Sequence, residues 1–158
     1  MVDTRSALRT VAFYDVGMAA HLMGITNEAQ IPAHPLRGTL YENLIVVEVM
    51  KYFMNRGVQP RLYFYRDSNG NEVDLVIPRG QGLVPVEVKA AATIASDFFK
   101  GLTRFAASVP HVTDPVLVYG GSVERDQQGV RVTNLTGLVP VLNRLFGDDP
   151  VSAGDVSR

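Results

Sequence analysis

The chain has 158 residues, of which 46% are hydrophobic and 20% charged, with a formal net charge of −1 and no cysteine. This length fits one ordinary domain, and the composition excludes intrinsic disorder because enough apolar surface is available to form a core. The absence of cysteine excludes disulfides, thiolate catalysis and cysteine-ligated zinc. Because the net charge is not positive, any binding of nucleic acid must rely on a local basic patch.

No apolar stretch approaches the ~20 residues that a membrane-spanning helix needs. The opening segment MVDTRSALRT also lacks the apolar segment of a signal peptide. We therefore expect a cytoplasmic protein with no membrane partner. The sequence predicts a single domain over residues 1–146 and a flexible C-terminal tail over residues 147–158.

The first third of the chain predicts a short strand and two helices. TVAFYDVGMAAHLMGI is typical of a short strand followed by a short helix with Asp15 as its N-cap. TNEAQIPAHPLRG contains two prolines and no apolar period, so we expect a connector. GTLYENLIVVEVMKYFMNRG is the strongest helix, and Gly57 ends it. Its predicted buried stripe consists of Leu40, Leu44, Ile45, Val47, Val49, Met50 and Phe53.

Three strands are predicted next, RLYFYR, NEVDLVIP and LVPVEVKA, with turns at DSNG and RGQG. ASDFFKGLTRFAASV predicts an amphipathic helix that begins at Ser96 as N-cap. The inward residues of this helix are Phe98, Phe99, Leu102, Phe105 and Ala106, and the outward ones are Lys100 and Arg104. PVLVYGG indicates an interior strand, GVRVTNL another strand, and GLVPVLNRLF a last helix. The order α, β, β, β, α, β predicts an α/β sandwich around a mixed sheet.

The register of the hairpin around RGQG predicts a charged cluster. If RGQG is a four-residue loop and Pro78 pairs with Leu83, Asp74 lies opposite Glu87 and Glu72 opposite Lys89. Because side chains alternate between faces, the charged residues share one face. The other face is aliphatic, with Leu62 and Phe64 of the preceding strand joining Val73, Leu75, Ile77, Val84, Val86 and Val88, while Tyr63 and Tyr65 join the charged face.

Two directly opposed carboxylates destabilise a sheet, but a divalent cation between them makes the arrangement favourable. Lys89 points the same way as Glu87 and could hold a water or stabilise charge on a phosphate. An ordinary solvated face, on which Glu72 neutralises Lys89 as an exposed pair, explains the same residues. The chemistry of the strands leaves both interpretations open.

A further element precedes these strands, because Gly38 and Glu42 form a Gly-x-x-x-Glu pattern at the start of the long helix. Followed by Asp74 and then Glu87-x-Lys89, this order resembles the PD-(D/E)XK nuclease superfamily, and the helix resembles that of archaeal Holliday-junction resolvases. Over roughly residues 12–121 the chain looks closer still to the C-terminal domain of unknown function of prokaryotic AAA-type P-loop ATPases. The matching stretches are FYDVGMAAHLMGI, GTLYENLIVVEVMKYF, LYFYRDSNGNEVDLVI, VPVEVKAAATIASDFFKGLTRF and PVLVYGG.

The resemblance implies a restriction-endonuclease-like sandwich, with a mixed central sheet, helices on both faces and an αβββαβ core. It also implies that Asp74, Glu87 and Glu42 are ligands of Mg²⁺ or Mn²⁺, and that these three and Lys89 are the catalytic residues of DNA hydrolysis. Glu48 is a weaker candidate, because six residues place it about 120° further around the helix than Glu42. The chain departs from the superfamily at residue 73, where valine stands in place of the frequent proline.

The ATPases of this group carry Gly-x-x-x-x-Gly-Lys-Ser/Thr, whereas this chain has no Gly-Lys pair. The chain is therefore either a domain excised from a longer protein or a degenerate stand-alone copy, and the abrupt entry into RTVAFYDVG favours excision. We expect a nuclease-fold domain with DNA and the P-loop ATPase domain of that longer protein as its partners. The alternative is a catalytically inactive module that serves partner recognition or oligomerisation of the ATPase.

Overall fold

The computed structural model describes residues 13–147 of the chain. Its four α-helices are α1 (Val16–Leu22), α2 (Arg37–Met54), α3 (Lys100–Ser108) and α4 (Leu135–Phe146). Its strands are β1 (Tyr63–Arg66), β2 (Glu72–Arg79), β3 (Gly82–Lys89), β4 (Val116–Tyr119), β5 (Arg125–Gln127) and β6 (Val130–Thr133). Two 3₁₀ helices, Glu28–Ala33 and Ser96–Phe99, complete the described elements.

The six strands form one mixed sheet in the order β1-β2-β3-β4-β6-β5. The first three strands are antiparallel neighbours, and α3 then returns the chain so that β4 lies parallel to β3. β6 is parallel to β4 on its other side, and β5 pairs antiparallel with β6. All four residues of β4 are buried, as expected for a strand in the interior of a sheet. The predicted mixed α/β fold is therefore confirmed.

Helices cover both faces of this sheet. The core under α2 and α4 includes Ile45, Phe53, Leu75, Ile77, Val86, Val88, Val118 and Leu142. The core under α3 includes Val73, Val76, Phe99, Leu102, Phe105, Leu117 and Tyr119. A third, smaller cluster of Ala19, Ile25 and Leu40 attaches α1 to the start of α2. None of the helices within residues 13–147 has both the length and the apolarity to cross a membrane.

The helices near the start of the chain follow the sequence closely. The carboxylate of Asp15 accepts a 2.9 Å hydrogen bond from the backbone N–H of Met18, so its predicted role as N-cap of α1 is confirmed. Gly57, with a φ of +70°, lies just beyond α2 as predicted. Within the stripe predicted for α2, Leu44 and Met50 are only partly buried.

Several other predictions about local structure were wrong. Residues 13–15 form no strand, and the rest of that predicted strand lies outside the described residues. The predicted connector contains the 3₁₀ helix Glu28–Ala33. Ser96 is not an N-cap but the first residue of the 3₁₀ helix Ser96–Phe99, and Ala106, predicted to face inward, is exposed. β5 was missed because its residues, Arg-Asp-Gln, show no apolar alternation. The predicted tail, apart from Gly147, lies outside the described residues.

Candidate functional site

The hairpin of β2 and β3 positions the predicted acidic residues. Its backbone pairs run from Arg79–Gly82 to Leu75–Val86 and include Pro78–Leu83, so the predicted register is confirmed. The loop is shorter than predicted, because Arg79 and Gly82 also pair and leave only residues 80 and 81 between the strands. In this register Asp74 and Glu87 lie one step beyond the last backbone pair.

A β-bulge in β2 changes which face its first residues occupy. Tyr63 of β1 pairs with Val76, whereas Tyr65 pairs with Val73, so two steps along β1 correspond to three along β2. An extra residue of this kind reverses the alternation of side chains. Val73 therefore packs under α3, while Leu75 packs under α2 and α4. The prediction that Val73 belongs to the same aliphatic face as Leu75 was wrong for this reason.

The same bulge turns the carboxylate of Asp74 towards β3. Its Oδ2 accepts a 2.7 Å hydrogen bond from the backbone N–H of Val88, beyond the last pair of the two strands. The Asp74 side chain thus binds the N–H of Val88, which has no backbone partner on β2 because the pairing of the two strands ends at Leu75 and Val86. Burial raises the pKa of Asp74, and the Val88 N–H and the charge of Lys89 oppose this rise.

Glu87 is the most strongly perturbed group of the cluster. Only 7% of it is exposed, and burial, followed by the charge of Asp74, raises its pKa to about 7 against the lowering effect of Lys89. Its Oε1 lies 2.6 Å from Nζ of Lys89. Its Oε2 is buried and has no hydrogen-bond partner in the described part of the chain.

The backbone of α3 packs directly on this carboxylate. A Cβ added to Gly101 would lie 3.0 Å from Oε2 of Glu87 and 2.8 Å from the carbonyl oxygen of Glu72. Only glycine permits so close an approach without a shift of α3. Gly101 therefore accounts for the burial of Oε2, and the sequence analysis missed it.

Glu42 reaches the cluster from α2. Burial raises the pKa of Glu42, the charge of Asp74 raises it further, and Lys89 lowers it. For Lys89 itself, burial lowers the pKa, but the hydrogen bond and charge of Glu87 outweigh that effect and the pKa is raised. Glu42, Asp74, Glu87 and Lys89, the four residues singled out from the sequence, thus interact electrostatically at one end of the β2–β3 hairpin.

Two other acidic residues have different partners. In the solvated-face interpretation Glu72 neutralises Lys89, but Oε1 of Glu72 lies 3.1 Å from Nε of Arg66 on the neighbouring strand and Lys89 contacts Glu87, so the predicted ion pair was wrong. Glu48 forms an ion pair of 2.8 Å with Lys51 along α2. Glu48, the weaker of the two helix candidates, therefore has a local partner away from the cluster.

The carboxylates do not converge on a single point in this arrangement. Within residues 13–147, no three histidine, aspartate or glutamate side chains are arranged as a ligand set for a metal ion. The contacts explain why: Lys89 holds one oxygen of Glu87, and Val88 holds one oxygen of Asp74. Joint ligation of a cation requires these side chains to rotate.

A second residue that the sequence analysis missed is Tyr41. Its hydroxyl donates a 2.9 Å hydrogen bond to the backbone carbonyl of Tyr119, at the end of β4. The signal in the sequence was weak, consisting of a tyrosine beside Glu42 and two glycines after an apolar strand. Neither feature shows that the two segments meet in space.

Comparison with known proteins identifies a family without assigning an activity. A family profile described as "Domain of unknown function (DUF4143)" matches residues 37–138, a stretch that begins with α2 and extends into α4. No curated protein and no solved structure matches the chain. The profile covers more than half of the sequence. It includes Glu42, Asp74, Glu87 and Lys89, which are together called the acidic cluster below. The chain therefore belongs to the DUF4143 family.

Proposed function

We propose that this domain is a metal-dependent nuclease with a restriction-endonuclease-like core, which hydrolyses DNA phosphodiesters. We further propose that it works beside a P-loop ATPase domain of the same full-length protein. The order of elements supports the fold assignment, because α2, the meander β1–β3, the helix α3 and the strand β4 make an αβββαβ series. The partner and the substrate rest on the resemblance described above.

One observation carries the proposal: three carboxylates and one lysine interact at the end of the β2–β3 hairpin, where the two strands diverge. Buried carboxylates with raised pKa values are costly to the fold, since each favours its neutral form. Such arrangements concentrate at functional sites, although structural ion-pair networks also produce them. Gly101 in α3 permits the close approach that buries Glu87, and the bulge in β2 lies next to Asp74.

The residues fit a hard divalent cation by their donor chemistry. Carboxylate oxygens are the ligands that Mg²⁺ and Mn²⁺ prefer, and Asp74, Glu87 and Glu42 supply them. The buried Oε2 of Glu87 is an acceptor without a partner in residues 13–147, and a cation would satisfy it. Ligation through Oε1 would also require the cation to replace the ammonium of Lys89, whereas Oε2 carries no such contact within residues 13–147.

In the proposed reaction, a water oxygen forms a new bond to phosphorus and the bond from phosphorus to the leaving sugar oxygen breaks. A divalent cation polarises the phosphate and acidifies water when bound. Asp74 and Glu87 would hold the cation, and Glu42 would complete the set as a further ligand or through a bound water. Lys89, once released from Glu87, donates to a phosphate oxygen and opposes the charge that develops there. The attacking water gives up its proton to solvent, and the leaving oxygen takes a proton from solvent.

The test is cleavage of double-stranded, single-stranded and branched DNA in Mg²⁺ or Mn²⁺. We expect the wild-type domain to cut at least one of these substrates, and chelation of the metal to abolish the cutting. Asp74→Ala and Lys89→Ala should each lose activity, while Glu48→Ala, which removes a partly exposed carboxylate on α2, should retain it. Equal cleavage by wild type and Lys89→Ala would indicate a contaminating nuclease, and this result would refute the proposal.

A second candidate function is a partner-recognition or oligomerisation module that has no turnover. The observation that favours it is the 2.6 Å contact of Lys89 with Glu87, which already compensates one buried charge without any cation. This candidate predicts no heat of Mn²⁺ binding in calorimetry and an ATPase activity of the full-length protein that survives Glu87→Gln. Measurable Mn²⁺ binding that Asp74→Ala abolishes would count against it.

A further inference from the structure

Tyr41 connects two parts of the acidic cluster that are distant in sequence. It immediately precedes Glu42 on α2, and its hydroxyl donates to the carbonyl of Tyr119, 78 residues away. In the sheet, Tyr119 is the direct partner of Lys89. One phenol therefore joins the helix that carries Glu42 to the end of the strand pair that carries Lys89.

The chain segments after β3 and β4 form a closely packed block. The N–H of Gly120 lies 2.9 Å from the carbonyl oxygen of Lys89 and 3.0 Å from that of Ala91. A Cβ at Gly120 would lie 2.6 Å from the carbonyl oxygen of Ala90. These backbone hydrogen bonds tie the end of β4 to the segment that follows β3, and Tyr41 is bonded to this block.

The start of α2 is held to α1 by the packing of Leu40 and to the backbone of Phe13 by the side-chain amide of Asn43, but neither contact joins it to the end of β4. Leu36 occupies the N-cap position of α2 and provides no side-chain hydrogen bond, so the first turn lacks the capping that Asp15 gives α1. A phenol keeps its proton at neutral pH, so Tyr41 can donate the hydrogen bond to the carbonyl of Tyr119.

We propose that Tyr41 is a positioning residue of the acidic site, which fixes the carboxylate of Glu42 relative to Lys89 by holding the first turns of α2 against the end of β4. The catalytic consequence of this inference rests on the proposed nuclease function. The geometric part of the inference, that Tyr41 attaches α2 to β4, does not depend on the nuclease function. Tyr41 itself makes no contact with substrate in this scheme.

The test compares Tyr41→Phe with Tyr52→Phe, a matched deletion of a hydroxyl from the same helix. Tyr52 is buried, and its hydroxyl donates a 3.1 Å hydrogen bond to the carbonyl of Leu142, so its loss removes a similar bond far from Glu42. Two quantities are measured: kcat and KM for DNA cleavage in Mn²⁺, and amide hydrogen exchange along α2 without metal. Unfolding midpoints of both variants show that each is folded.

We expect Tyr41→Phe to lower kcat by about ten- to a hundredfold, since a small misplacement of a catalytic group has effects of this size. KM should change little, and exchange should become faster at the amides of residues 41–45. Tyr52→Phe should keep kcat within about twofold of wild type and leave exchange at residues 41–45 unchanged, because it affects only the later turns.

Equal kcat values in the two variants would overturn the inference. If the wild-type domain cleaves none of the DNA substrates, the nuclease proposal fails and hydrogen exchange alone decides. Faster exchange at residues 41–45 in Tyr41→Phe but not in Tyr52→Phe would then support the positioning role. Unchanged exchange at these amides would refute it.

Discussion

The ammonium of Lys89 lies 2.6 Å from Oε1 of Glu87, whereas Oε2 of the same carboxylate is buried against Gly101 without a hydrogen-bond partner in residues 13–147. The carboxylate is therefore only half compensated. A buried charge of this kind makes stability depend on pH and on each neighbour that contacts it. These dependences give predictions that do not require the substrate to be known.

Glu87→Gln should flatten the pH dependence of stability. The pKa of Glu87 rises from its ordinary value of 4.5 to about 7 on folding, so the folded state binds the proton more tightly. The contribution of this proton binding to the free energy of unfolding is fully present below pH 4.5 and is lost as pH rises through about 7. One pKa unit corresponds to about 1.36 kcal/mol, so the total loss is up to about 3 kcal/mol. Urea unfolding between pH 4.5 and 8 in EDTA measures it, and parallel curves for wild type and Glu87→Gln would contradict this assignment.

Lys89→Met should destabilise the protein more at pH 8 than at pH 5.5. At pH 8 Glu87 is ionised and loses its partner, which costs about 1–3 kcal/mol for a buried polar group left unsatisfied. At pH 5.5 Glu87 is protonated, so the loss is smaller. The control is Lys51→Met, which breaks the exposed pair with Glu48 and should have no measurable effect. A loss from Lys89→Met that is equal at the two pH values would argue against a charge effect.

Gly101→Ala and Gly38→Ala should have opposite effects on stability. Gly38 lies in the first turn of α2 and the position of its Cβ is open, so Gly38→Ala should be neutral or should stabilise by less than the ~1 kcal/mol expected in a helix interior. At Gly101 the new methyl group meets a backbone carbonyl oxygen at 2.8 Å and should cost about 1–3 kcal/mol through displacement of α3. Thermal unfolding of the two variants measures this, and a stabilised Gly101→Ala would show that α3 does not press on the cluster.

Mn²⁺ should stabilise the wild-type domain against unfolding, and more strongly at pH 8 than at pH 6. A ligand that binds only the folded state at a hundred times its Kd contributes about 2.7 kcal/mol. Glu87 must lose its proton to ligate a metal, so affinity should rise as pH passes through its pKa of about 7.

The control for this measurement is Asp74→Asn, which keeps the shape of the side chain and removes its charge. Its unfolding midpoint should not respond to Mn²⁺. An identical response in wild type and Asp74→Asn would locate the bound cation elsewhere on the surface.

The sequence was sufficient for the elements that depend on local patterns. The register of β2 with β3 follows from apolar alternation on both sides of a short glycine-containing turn, and Asp15 is recognisable as a cap because capping is a contact over three residues. The bulge was not predictable, since an extra residue in β2 is defined only by its pairing with β1. Without the bulge, Val73 was assigned to the wrong face.

Contacts between segments that are far apart in the sequence could not be predicted from one sequence either. The bond from Tyr41 to Tyr119 depends on how α2 crosses the sheet, and no local pattern indicates that crossing. The close approach at Gly101 depends in the same way on the height of α3 above Glu87. Strand β5 is short and polar and exists because β6 provides an edge with which it pairs.

The bulge in β2 also has a consequence for insertions and deletions in this strand. Because of one extra residue between them, Val73 and Val76 pack in the same layer under α3 although they are three positions apart in the sequence. Insertion of one more residue between Val73 and Val76 would turn Val73 to the opposite layer, and loss of residue 74 would remove the carboxylate that accepts the hydrogen bond from the Val88 N–H. Length variation should therefore be far less tolerable here than at the Asp67–Asn71 turn, where the chain only reverses direction.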